Sequence, residues 1–119
     1  MLTAPSEEIY IRDEPIQVIE EIQALEGNFR AMKAIAHCES SDRHYNEDGT
    51  VLTGLIDPRD IGRYQINSYY HQETAENMGL DIFDEEDNEE YAVWLFEREG
   101  FQPWSASKLC LNKLGYEIN

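Results

Sequence analysis

The chain is short of bases. Nine lysines and arginines stand against 25 aspartates and glutamates, a formal net charge of −16 over 119 residues. That shortage excludes nucleic acid as a partner, because a sugar-phosphate backbone is neutralised only by clustered Lys and Arg. It equally disfavours an anionic membrane surface. Long apolar runs are missing as well, so no segment reads as a transmembrane helix. Cysteine occurs twice and histidine three times, scattered and without a CxxC pair, which excludes a zinc set. There is no Gly-rich phosphate loop and no GxSxG elbow. Nor does a basic-then-apolar leader open the sequence, so a secretion signal is expected to be absent or already removed.

What is present is globular. Hydrophobic residues make up 41% and aromatics 11%, enough for a core in a single domain over residues 13–119, with 1–12 as an exposed lead-in. The acidity itself reads as solubility or adaptation to a salty habitat and says nothing of fold. Cys38 and Cys110 permit a disulfide, worth roughly 4 kcal/mol for so long a loop. Counting alone leaves a bridge and two separate thiols equally open.

Hydrophobic spacing predicts a first helix over 13–26, with Asp13 as cap, Pro15 in the first turn and Ile16, Ile19, Ile22 and Leu25 on one side; Gly27 is expected to end it. A second helix is expected over 28–40. Asp48-Gly49 ahead of Val51-Leu52-Thr53 predicts a hairpin turn and a short strand, kept short by Pro58. "YYHQETAENMG" reads as a helix stopped by Gly79, and "NEEYAVWLFEREG" as a stronger one stopped by Gly100. The acids at 84–90 lie at that helix's N-terminus, where the macrodipole favours them without any ligand. The fold class is α+β, mainly α-helical with one small β-hairpin.

Candidate chemistry narrows by elimination. "HYNEDG" resembles part of a calcium loop, but with Gly49 at the sixth position the first falls on His44 and the twelfth on Leu55, where an acid is required. Neither metal nor cofactor is expected. Cys–His catalysis through Cys38 and His71 is disfavoured, because Cys38 has no convincing base partner. The informative residue is Glu39. On a helical wheel, Ile35, Met32, Ala36 and Phe29 share one sector of roughly 120°, the width of a core-facing stripe. Glu39 falls in the middle of it, and Arg30, Lys33 and His37 lie opposite. A carboxyl held against hydrocarbon resists ionisation, which suits a general acid near neutral pH. A glycosidic bond needs such an acid, together with a group that stabilises the charge left on the sugar. The competing expectation is a frayed helix end with Glu39 in water.

Three stretches, "IAHCESS", "DIGRYQINSYYH" and "NEEYAVWLFEREGFQPWS", together resemble the lysozyme-like superfamily of peptidoglycan-cleaving enzymes, with the soluble lytic transglycosylases as the nearest branch. The resemblance covers roughly 28–110 and implies a lysozyme-like fold. It also implies a catalytic Glu39 followed by Ser40, a cleft segment at Gly62, Gln65, Ile66 and Asn67, and an Asn88-led helix. Arg63 and Tyr64 depart from the usual hydrophobic pair. "DIGRYQINS" is also similar to a strand of c-type lysozymes, which places Asp60 where those enzymes keep a second carboxylate. Resuscitation-promoting factors pair a Cys beside the catalytic Glu with one near the domain's end, which implies a Cys38–Cys110 bridge.

The function so implied is cleavage of the β-1,4 bond between N-acetylmuramic acid and N-acetylglucosamine by an extracytoplasmic, monomeric enzyme acting on peptidoglycan glycan strands. Ser40, Tyr64, Gln65, Asn67, Tyr91 and Trp104 are the candidate substrate-binding residues. The alternative is a binding module on the same fold that holds glycan or a partner without cutting it.

Overall fold

The computed structural model describes residues 15–118, with side chains from residue 17. The expected Asp13 cap, the 1–12 lead-in and the Ile16 side chain lie outside the described residues. The chain divides into two units between Ala31 and Met32.

A single helix, α1, spans Pro15–Ser40. The expected break at Gly27 does not occur. One glycine costs a helix about 1 kcal/mol, too little to end it unless the next residue also turns away. Pro15 does open the helix, a position where its missing N–H is no loss. In the first unit, Ile19, Ile22, Leu25 and Phe29 are exposed, so Phe29 is not core as its periodicity suggests. Periodicity marks which face is apolar, not where along the helix a covering layer exists. In the second unit the stripe behaves as expected: Met32, Ile35 and Ala36 are buried, and Lys33 and His37 face solvent.

Helix α1 ends where Ser41 and Asp42 adopt left-handed backbone, with φ of 55° and 62°. The Asp42 N–H returns to the Ala36 carbonyl at 3.0 Å. The Asp48-Gly49 turn follows, with Gly49 at φ 90° and the Asn46 N–H bonded to Thr50 O at 2.8 Å. The expected strand at 51–53 is reduced to isolated bridges, Val51 to Tyr45 and Thr53 to Ile61. The sheet proper is antiparallel and two-stranded, β1 (Asp60–Ile61) against β2 (Ile66–Asn67), in the register Asp60–Asn67 and Ile61–Ile66.

Helices α2 (Ser68–Asn77) and α3 (Glu85–Glu99) match the two helical patterns and stop before Gly79 and Gly100, both at positive φ. Asp84 caps α3 by accepting from the Asp87 N–H, and Glu85, Glu86 and Asp87 fill its first turn. A 3-10 segment, Gln102–Ser107, leads into α4 (Lys108–Lys113). Sequence periodicity does not reveal either, because each is too short to show a repeat. The second unit is thus mainly helical with a small antiparallel sheet, α+β as expected. Its core joins Ile35, Ala36, Ile61, Tyr64, Ile66, Tyr91, Leu95, Trp104 and Leu111.

Candidate active site

Glu39 sits in the last turn of α1, and a web of backbone contacts places that turn. Ser40 Oγ donates to the Arg63 carbonyl at 2.7 Å and lies 3.1 Å from Ala36 O. It also accepts from the Arg43 N–H at 3.1 Å. Ser40 is therefore a stitch between the helix end and the β1–β2 turn. The Cys38–Cys110 disulfide, with Cα atoms 5.8 Å apart, joins the same turn to α4. With its sulfur in that bond, Cys38 has no thiolate to offer, and Cys–His catalysis is set aside.

The β1–β2 turn is pinned from behind. Buried Asn88 on α3 accepts from the Tyr64 N–H at 3.0 Å and donates to the carbonyls of Ile61 and Ile82, each at 2.9 Å. His44 accepts from the Arg63 N–H through Nδ1 at 3.1 Å, so its proton is on Nε2, 2.8 Å from the Phe83 carbonyl. Gly62 passes between these two side chains at φ 75°. A Cβ there would fall 2.4 Å from His44 Cε1 and 2.9 Å from Asn88 Nδ2. Only glycine fits both the space and the backbone.

A cleft of about 110 Å³ opens in front of this frame, lined by Glu39, Asp60, Gln65, Ile66, Asn67, His71, Leu95, Pro103, Trp104 and Ala106. A larger depression of about 370 Å³, lined by Leu25, Glu26, Phe29 and Arg30, contains none of these groups. The smaller cleft has the chemistry, and it is below the several hundred cubic ångströms usual for an enclosed small-molecule site.

Glu39 is half-buried there. Burial raises its carboxyl well above the ordinary range, to about 7; a hydrogen bond from Ser107 pulls it down, and the charge of Asp60 pushes it up. Ser107 Oγ is 2.7 Å from Glu39 Oε2. Asn67 orients Asp60, donating to its Oδ1 at 2.9 Å and to Asp57 Oδ2 at 3.2 Å, while its own Oδ1 caps α2. Hydrogen bonds from Arg59 hold Asp57 low, at about 2. Gln65 lies at φ 50°, a left-handed conformation rare for a side-chain-bearing residue, and donates to Gly62 O at 2.9 Å. Strained backbone of this kind tends to mark functional positions.

Five of the expected residues therefore meet in one cleft: Glu39, Asp60, Gln65, Asn67 and Trp104. Three do not line it. Ser40 is committed to the frame. Tyr64 is buried in the core, with its hydroxyl 3.5 Å from Glu89 and its carbonyl accepting from Trp104 Nε1 at 2.9 Å. Tyr91 is buried behind His71, with its hydroxyl 2.8 Å from His71 Nδ1. Arg63, the other departure in the cleft segment, is drawn to α3, bonded to Glu85 at 2.6 Å and with its Nε 3.4 Å from Asp42.

Two further residues at the site are not among the expected substrate-binding residues: His71, in the cleft lining, and Ser107, which touches Glu39. His71, whose basicity burial lowers, lies in an ordinary-looking helix. Ser107 is 68 residues from the group it touches. Among the described residues no cluster of His, Cys, Asp and Glu is arranged to hold a metal, and no helix is long and apolar enough to cross a membrane. The chain matches no family model, no curated protein and no solved structure.

Proposed function

We propose that this protein is a peptidoglycan-cleaving glycosidase in which Glu39 is the general acid and then the general base. The observation that carries the reading is a carboxyl shielded enough to hold its proton near neutral pH, set in a cleft beside a second, hydrogen-bonded carboxylate. Glu39 passes its proton to the bridging oxygen of the N-acetylmuramic acid–N-acetylglucosamine link, and the leaving sugar departs as an alcohol. Asp60, fixed by Asn67, stabilises the positive charge on the remaining ring. The ionised Glu39 then takes a proton from the attacking hydroxyl. If that is the muramoyl 6-hydroxyl, a 1,6-anhydro ring closes, as in a lytic transglycosylase; if it is water, a reducing end forms, as in a lysozyme-type muramidase. In this reading Gln65 holds polar groups of the sugars, Asn67 acts through Asp60 because its own donors and acceptor are already engaged, and Trp104 forms an apolar wall.

The fold implied is lysozyme-like, and the disulfide is compatible with an extracytoplasmic site of action. Tyr64 lies in the core and Arg63 in ion pairs, so neither side chain obstructs the cleft, which supports the reading.

The test is turnover of purified peptidoglycan by wild type and Glu39→Gln, with glycan binding measured alongside. Loss of at least about a thousandfold in rate with binding retained is expected where one group is both acid and base. Wild type that binds glycan and releases no fragments would instead identify a binding module. Mass spectrometry of the product ends separates transglycosylase from hydrolase.

A further inference from the structure

Ser107 closes the 3-10 segment and lies half-buried against Glu39. The other polar groups of the cleft are engaged elsewhere: Asp60 with Asn67, His71 with Tyr91, and Gln65 with the Gly62 carbonyl. Among the described residues, the hydrogen bond to the Glu39 carboxyl comes from Ser107, at 2.7 Å to Oε2. Both partners are anchored. The disulfide fastens Cys38, one residue before Glu39, to Cys110, three residues after Ser107. Trp104, in the same 3-10 segment as Ser107, is bonded through Nε1 to the Tyr64 carbonyl.

Resting on the reading of Glu39 as proton donor, we infer that Ser107 is its positioning residue, fixing the carboxyl in one orientation and supporting the negative charge that grows there as the proton leaves. With Oε2 held by the serine, Oε1 is the oxygen left to carry the transferable proton. No bond to Ser107 forms or breaks. The proton goes from Glu39 to the glycosidic oxygen, and the Ser107 hydrogen bond strengthens as its acceptor becomes an anion. An interaction that strengthens on the way to the transition state acts on kcat more than on KM.

The charged and titratable groups facing Glu39 across the cleft are Asp60 from β1 and His71 from α2. The facing residues of β2, α3 and the 3-10 segment (Ile66, Asn67, Leu95, Pro103, Trp104, Ala106) are uncharged, so removing the serine leaves those charges as they were.

The experiment combines two readouts on wild type, Ser107→Ala and Ser107→Thr. The first is the titration midpoint of the Glu39 carboxyl, followed by carbon NMR without substrate. The second is the pH profile of peptidoglycan turnover. Ser107→Ala is expected to raise the midpoint above that of wild type, lower kcat about ten- to a hundredfold with KM little changed, and move the basic limb of the profile to higher pH. Ser107→Thr keeps the hydroxyl and is expected to restore both. If Ser107→Ala does not fold, Ser107→Cys, similar in size and a weak donor, takes its place with the same expected direction. An unchanged midpoint in a folded variant overturns the inference, as does a loss of kcat that threonine does not rescue. Wild type with no turnover, but with a midpoint that responds to Ser107, would overturn the assignment of Glu39 as proton donor while leaving the serine as its partner.

Discussion

At the scale of single residues, the molecule turns on one carboxyl kept partly from water. A group whose folded-state pKa lies above its unfolded value favours folding while it is protonated, and that contribution disappears as pH rises through the folded pKa. For Glu39 the window runs from its ordinary 4.5 to about 7. Wild type is therefore expected to lose stability relative to Glu39→Gln across that interval, with the variant ahead by about 2–3 kcal/mol at pH 8. Urea unfolding of the pair at pH 4 and pH 8 measures it, and equal stability at both would mean that position 39 is fully hydrated. Sequence periodicity located this residue, because the stripe of Ile35, Met32 and Ala36 leads directly to it. It could not locate Ser107, whose role depends on a contact made only when distant segments fold together.

At the scale of elements, the site is a junction of short pieces held by polar stitches. The β1–β2 turn is fixed by Asn88, His44 and Ser40, each bonding to backbone that has no long sheet to satisfy it. Two-residue strands supply few ladder bonds, so buried side chains complete the accounting. The disulfide does comparable work for α1 and α4. Its removal by Cys38→Ser with Cys110→Ser is expected to cost about 4 kcal/mol by chain entropy, and a loss below about 1 kcal/mol in chemical unfolding would count against that account. On the proposed function, the same variant is also expected to weaken turnover, since the bridge anchors the segments carrying both Glu39 and Ser107. Helices α2 and α3 are legible because their stop glycines, and for α3 the acidic run at its start, agree with their patterns. The 3-10 segment and α4 are not, and the break expected at Gly27 does not occur because a glycine is a weak terminator on its own.

At the scale of the whole molecule, the dominant property is a net charge of −16. On the proposed function, a wall bearing anionic polymers repels such a protein, and salt screens that repulsion within a Debye length of about 10 Å at 0.1 M. Turnover of intact anionic wall is expected to rise severalfold between about 10 mM and about 100 mM salt, with little change on a neutral oligosaccharide. A fall on intact wall would point to local positive charge as the docking feature. Composition, periodicity and capping by themselves determined the helical class, the principal helices after residue 28 and the candidate acid. These properties are local, set by which residues recur every three or four positions and which can end a helix. Only the tertiary structure decided that Asp60, Gln65, Asn67 and Trp104 join Glu39 while Ser40, Tyr64 and Tyr91 do not, and that Ser107 completes the group. Orientation into a cleft depends on packing between segments tens of residues apart, which no local pattern encodes.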